Sequence, residues 1–162
     1  MSANANVTKD LRLVASYSFN DIRYANSNRT EQKYDPYTDW GYGPNVSEKG
    51  KPVEQTPRNM FSIFADYSIP SGIFKGLGIN WGMRYVGYTY GDEVSSYKVP
   101  SYILFDVGAR YNFEKVFPTL KGLTAQLSMS NLTNKYYEAS CYSNVCYLGE
   151  GRKVYGNLAY RW

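Results

Sequence analysis

Hydrophobic and polar residues alternate with a period of two along much of the chain. Leu11, Leu13, Ala15, Tyr17 and Phe19 interleave with Arg12, Val14, Ser16 and Ser18. The rhythm returns in Phe61, Ile63, Ala65, Tyr67 and Ile69, and again in Leu77, Ile79, Trp81, Met83 and Tyr85. It recurs in Ile103, Phe105, Val107, Ala109 and Tyr111, in Leu123, Ala125, Leu127 and Met129, and in Val154, Gly156, Leu158, Tyr160 and Trp162. Successive side chains of a strand point to opposite faces, so the pattern predicts an all-β, antiparallel chain of six strands, each apolar on one face. Each segment runs for about ten residues, the length a tilted strand needs to cross a bilayer. Asn4 to Thr8 read as the end of an earlier strand and its turn.

The links alternate in length. Residues 20–59 form a long polar link, 70–76 a short one, 87–100 a medium one, 114–122 a short one and 131–151 a long one. In an up-and-down meander, odd and even links lie at opposite ends, so the long loops gather at one end and the tight turns at the other. Outer-membrane barrels have this asymmetry. Tyr85, Tyr111 with Phe113, and Tyr160 with Trp162 stand at the ends of apolar stripes. There a ring meets lipid tails while its polar tip meets headgroups. A soluble antiparallel sandwich with one buried face shares the alternation. Strand length, loop asymmetry and ring placement favour the membrane. Six strands are too few to close a membrane barrel, which begins at about eight, and an open sheet in lipid leaves two unpaired edges. The expectation is therefore that residues 1–162 are the C-terminal piece of a larger barrel.

Composition narrows the chemistry. The 162 residues include 18 Tyr, 7 Phe and 3 Trp, which suits surfaces that are half wet. The absence of His removes Ser-His-Asp and Cys-His catalysis and His-ligated metals. Two Cys cannot make a four-Cys zinc site, and no metal site or enzyme activity is expected. No run of about 18 apolar residues is present, so no transmembrane helix is available. The formal net charge of +4 is mild, and no RRM, KH or helix-turn-helix pattern suggests a nucleic-acid partner. Met1 to Asn6 carry neither the basic nor the apolar region of a signal peptide. The chain is thus either cytoplasmic or the downstream part of something longer, and the strand pattern favours the second.

Cys141 and Cys146 lie in a polar loop and can close a small disulfide ring, which would stiffen the loop tip by about 2 kcal/mol in the chain-entropy model. Such a bond needs an oxidising compartment. Two unrelated reduced thiols are the alternative. Asp66, Arg84, Asp106 and Arg110 alternate onto the polar face and read as ion pairs of the wall rather than as catalysts.

The stretch Asn131-Leu-Thr-Asn-Lys-Tyr-Tyr-Glu-Ala-Ser-Cys141, continuing through Cys146, Gly149 and Arg152 to the terminal Trp162, resembles the C-terminus of TonB-dependent siderophore receptors, the ferrichrome and other hydroxamate receptors above all. Gly50-Lys51-Pro52 to Pro57 and Val99 to Tyr111 look like strand entrances of the same family. The chain departs from the hydroxamate pattern in having four residues between its cysteines where five are usual, and Trp162 where Phe is usual. The resemblance implies a 22-stranded outer-membrane barrel of a Gram-negative cell, closed by a plug and lacking here the plug and earlier strands. It implies uptake of ferric siderophore powered by TonB, ExbB and ExbD, with iron carried as cargo and no cofactor, in a barrel inserted by the assembly machinery into outer-membrane lipid. The aromatic after the first loop cysteine touches the siderophore in hydroxamate receptors, and that position is Tyr142. Tyr37, Trp40, Tyr42, Tyr88, Tyr90 and Tyr97 also lie in the long loops, where rings among Gly and polar residues make adaptable binding surfaces. Two other readings are open: a soluble carbohydrate-binding β-sandwich that stacks rings on sugars, and a truncated receptor fragment without activity of its own.

Overall fold

The computed structural model describes residues 1–142 and 145–162. The strands, in chain order, are β1 (Ser2–Asn6), β2 (Leu11–Phe19), β3 (Thr30–Tyr34), β4 (Tyr42–Ser47), β5 (Asn59–Ser68), β6 (Leu77–Val86) and β7 (Thr89–Tyr90). They continue as β8 (Lys98–Val99), β9 (Tyr102–Asn112), β10 (Leu123–Ser130), β11 (Glu138–Tyr142), β12 (Val145–Leu148) and β13 (Lys153–Tyr160). Seven of them form one sheet in the order β1-β2-β5-β6-β9-β10-β13, and every neighbouring pair is antiparallel. This is the expected up-and-down meander of six strands, joined at one edge by β1, whose end the Asn4–Thr8 segment marks.

The register sorts the two faces. Ala5, Leu13, Ala65, Trp81, Val107, Met129 and Val154 lie side by side across all seven strands. One residue along, Arg12, Asp66, Asn80, Gly108, Ser128 and Tyr155 form the matching row on the opposite face. The apolar row is not covered. Trp81 is 47% exposed and Leu127 54% exposed. The buried apolar residues are Ala65, Val94, Val99, Leu104 and Cys141, three of which belong to the loops rather than the sheet. A sandwich requires a second sheet packed at about 10 Å. Among the described residues no such layer faces either side, so the sandwich alternative fails.

The turns at one end are short because the sequence makes them so. Thr8 Oγ1 accepts from the backbone N–H of Asp10 at 3.2 Å and of Leu11 at 3.0 Å, closing the β1–β2 turn. Gly76, with φ +91°, passes so close to β9 that a Cβ there would stand 2.7 Å from the Asn112 carbonyl oxygen. Gly122, with φ +79°, allows Arg161 N–H to donate to its own carbonyl, and a Cβ there would collide with the Arg161 carbonyl. Aromatics mark both ends of the apolar face. Phe61 faces Tyr85 across β5 and β6 at the long-loop end. At the other end Tyr111 meets Phe113 edge-on at 4.9 Å, and Tyr160 lies 6.3 Å from Trp162.

The long links carry structure of their own: the two-stranded hairpins β3–β4, β7–β8 and β11–β12. Every residue of β3 is exposed. With no apolar face, such a strand leaves no period-two hydrophobic trace in the sequence.

Candidate functional site

The three long links all rise from the same end of the sheet and lean on one another. The first spans residues 20–58. Its foot zips up against itself: Asn20 N–H donates to the Arg58 carbonyl, Val53 N–H to Ile22 and Tyr24 N–H to Lys51. Inside it the Ser27 hydroxyl donates to the buried Glu48 carboxylate at 2.8 Å, and Tyr24 Oη donates to Glu54 at 2.7 Å. That bond to a carboxylate, with partial burial and the nearby acids, pushes the Tyr24 phenol up to about 12.

The second link spans residues 87–101 and is held on both sides. Its Ser96 hydroxyl accepts from Tyr34 N–H of the first link at 3.0 Å, and its Tyr90 carbonyl accepts from Gln55 N–H at 2.9 Å. Tyr97 donates to Glu138 of the third link at 2.7 Å, which raises the Tyr97 phenol above its ordinary value.

The third link, residues 131–152, is tied to the wall by Asn131. This buried residue adopts φ +49°, which Asn tolerates better than most side chains. Its backbone N–H donates to Asp106 at 3.0 Å. Its side-chain amide donates to the carbonyls of Lys135 and Glu150, and its Oδ1 accepts from Lys135 N–H at 2.8 Å. Every hydrogen-bonding group of the amide is therefore engaged. Further out, Cys141 and Cys146 face each other across β11 and β12 and are disulfide-bonded. Cys141 is fully buried against the second link: a Cβ on Gly91 would stand 2.9 Å from the Cys141 Cβ. Glu138 lies beside both sulfurs. Bonded sulfurs have no thiolate to offer, so the trio is not a metal site.

Two cavities open between the first and second links. One, of about 360 Å³, is lined by Arg23, Lys51, Arg58, Tyr88, Tyr90 and Ser95 among others. Arg23 and Arg58 share the Asp21 carboxylate, Tyr88 and Tyr90 meet edge-on at 5.9 Å, and Ser95 Oγ is buried with no hydrogen-bond partner. The other cavity, of about 340 Å³, is lined by Glu31, Tyr34, Trp40, Tyr42, Asp92 and Glu93 among others. The structure thus divides the loop aromatics. Tyr88 and Tyr90 line the first cavity, Trp40 and Tyr42 the second, and the half-exposed Tyr142 lines neither. Tyr37 stands in solvent, and Tyr97 serves as a strut between links. The acids of the second cavity escaped the sequence reading because they sit on two links separated in sequence.

Asp66 and Asp106 are both occupied on the polar face. Arg110 grips Asp66 with two bonds of 2.9 Å and also reaches Ser68. Arg84 holds Asp106 at 2.9 and 3.2 Å. Bidentate pairing leaves neither carboxylate free for acid–base work, as expected of wall ion pairs.

The family model for the TonB dependent receptor-like β-barrel matches residues 2–132. The chain belongs to this family. Its sheet is a segment of Gram-negative outer-membrane barrel wall, the apolar face meets lipid, the polar face lines the lumen, and the family comprises receptors rather than enzymes. The chain is 33% identical over 161 residues to the ferrioxamine B receptor of Salmonella typhimurium, covering 99% of itself and 20% of that protein. It is 35% identical over 127 residues to the ferrichrome outer membrane transporter/phage receptor of Escherichia coli K12, covering 78% of itself and 17% of that protein. The chain therefore spans about one fifth of the length of these curated relatives. Among solved structures it superposes on the siderophore receptor PiuA from Acinetobacter baumannii with a TM-score of 0.74 and 23% identity, over 97% of this chain and 20% of that one, a likeness of fold.

Proposed function

We propose that the chain supplies barrel wall and three outer loops to a receptor that takes up a ferric siderophore of the hydroxamate class. The observation that carries this reading is the match to receptors named for ferrioxamine B and ferrichrome over most of the chain. The site chemistry agrees with it. A finished iron chelate needs no metal ligands from the protein; it needs flat faces and hydrogen-bonding groups, and the loops offer Trp40, Tyr42, Tyr88, Tyr90 and Tyr142. The steps are binding at the loops and then gated passage, with no bond broken. Iron travels as cargo. The sheet pairs at β1 and β13 with further strands of a barrel that corresponds here to its C-terminal part, and passage is driven through TonB with ExbB and ExbD. Closure matters physically, because an unpaired strand edge in hydrocarbon costs several kcal/mol for each backbone group left unbonded.

The test is uptake of radio-iron in cells whose own siderophore receptors are deleted and which express the receptor carrying this chain. Ferric trihydroxamates should enter in a TonB-dependent manner, and a ferric catecholate should not. Entry of the catecholate alone would overturn the hydroxamate assignment. Tyr142→Ala should weaken hydroxamate binding several-fold; unchanged affinity removes Tyr142 from the site.

A further inference from the structure

We infer that the cavity at the foot of the first and second links binds a carboxylate carried by the ligand, so that the preferred chelate is a hydroxamate with a free carboxylate. The inference rests on the siderophore reading and names the substrate class within it. Arg23, Lys51 and Arg58 line this cavity, and Asp21 is the one acidic residue of its lining. Three cations against one carboxylate leave two positive charges uncompensated. The neighbouring cavity has the opposite sign, with Glu31, Asp92 and Glu93 in its lining and no Lys or Arg. The positive field therefore belongs to this cavity and is not general to the loops.

The donors of the cavity are unspent. Lys51 is partly buried, yet among the described residues its ammonium has no ion-pair partner. The acids nearest to it in sequence are engaged elsewhere, Glu48 by the Ser27 hydroxyl and Glu54 by Tyr24. Holding an unpaired ammonium partly out of water costs free energy that a bound anion returns. Arg58 gives Asp21 a single N–H at 3.3 Å and rests 5.2 Å from the centre of the Phe19 ring, so most of its five guanidinium donors remain free. Ser95 is an independent sign of a ligand. Its hydroxyl oxygen is shut off from solvent in the cavity lining and has no hydrogen-bond partner. Buried hydroxyls are nearly always bonded, and a carboxylate oxygen would accept from this one.

The frame of the cavity is fixed before any ligand arrives. Lys51 N–H donates to the Glu48 carbonyl at 2.9 Å, and the Lys51 carbonyl accepts from Tyr24 N–H at 3.0 Å. Arg23 Nη1 holds the Gly50 carbonyl at 3.1 Å, and Gln55 N–H joins the two links through the Tyr90 carbonyl. Donors held in place lose little freedom on binding, which favours affinity. The volume, about 360 Å³, is far more than a bare oxyanion fills, so the charge arrives on a larger organic body. Tyr88 and Tyr90 offer that body ring surface, and the Lys98 ammonium, 3.9 Å from the centre of the Tyr88 ring, adds a further cation beside it. A carboxylate can accept from guanidinium, ammonium and hydroxyl together, and such charge-assisted bonds are the stronger kind.

The test compares two probes on outer-membrane vesicles carrying the full receptor. One is the ferric complex of a linear trihydroxamate whose terminal amine is capped by succinate, leaving a free carboxylate. The other is the same chelate with that carboxylate converted to its methyl amide, so that iron coordination is unchanged and the charge is gone. The carboxylate form should bind about tenfold more tightly, and added salt should erode that difference. Lys51→Gln should cut the preference to about threefold or less, Lys51→Arg should keep most of it, and Ser95→Ala should narrow it about threefold. Gel mobility before boiling checks that each variant is folded. Equal binding of the two probes to the unaltered receptor, or a preference undiminished in Lys51→Gln, overturns the carboxylate assignment and leaves the siderophore reading intact. Failure of both probes to bind brings down both.

Discussion

Leu127 and Ser128 are neighbours near the middle of β10, yet the sheet sends one side chain to lipid and the other to the lumen. Leu127 stands opposite Ala109 on β9 and Gly156 on β13, and is 54% exposed on the apolar face. Ser128 stands opposite Gly108 and Tyr155 on the polar face. Replacing each in turn by Arg changes nothing but the direction in which the guanidinium points. At the bilayer midplane, Arg on the lipid face of a barrel costs about 2–4 kcal/mol. At about 1.4 kcal/mol per factor of ten, Leu127→Arg should therefore lower the folding equilibrium by about 30- to 700-fold. Ser128→Arg should stay within about 1 kcal/mol of the parent, because its charge remains in water and Tyr155 offers a ring face across the strand pair. The assay is urea unfolding of the full receptor in phospholipid vesicles, read by the faster gel mobility of the folded barrel before boiling. Equal costs for the two variants, or a larger cost at Ser128, would refute the assignment of faces and with it the membrane reading of the sheet.

Two further outcomes follow from the loops. Asn131→Ala removes three side-chain hydrogen bonds at a buried site and puts Ala at φ +49°. At about 1–2 kcal/mol for the backbone strain and 1–3 kcal/mol for each buried group left unpaired, the third link should loosen by about 3 kcal/mol or more. Amide hydrogen exchange over residues 132–142 should then accelerate at least a hundredfold, while exchange in β9 stays slow; an unchanged pattern would show that the link is fixed elsewhere. Tyr24 gives a pH signature. Its phenol titrates near 12 because the O–H bonds the Glu54 carboxylate, above the unfolded value of about 10. The raised value means that the bond's contribution is complete below pH 10 and fades as pH climbs towards 12. Difference absorbance between parent and Tyr24→Phe should show one phenol ionising near 12; a step near 10 would show that the bond does not form.

The pattern of residues determined the sheet. Period-two alternation fixed six strands to within a residue or two at most ends, because each strand meets two different solvents and must match both. The asymmetry of link lengths fixed which ends lie together. The short links at 70–76 and 114–122 were legible as the gaps between alternating segments, whereas the close approaches that require Gly76 and Gly122 appear only in the structure. The Cys141–Cys146 bond, too, was readable as one of two options, since five positions separate the cysteines along the chain.

What the sequence left open is whatever depends on distant segments meeting. The hairpin β3–β4 has no buried face and so no hydrophobic rhythm. Trp40 and Tyr42 read as isolated loop rings until the second link brings Asp92 and Glu93 beside them. Tyr142 stood foremost by position, yet folding places it outside both cavities. Asn131 opens the family-like stretch in the sequence, but only the folded third link shows it holding Lys135 and Glu150 together. Alternation along a strand is a local response to lipid and water, written residue by residue. Which charges and rings of different links come within a few ångströms of one another is decided by the tertiary fold, and no single stretch of chain records that.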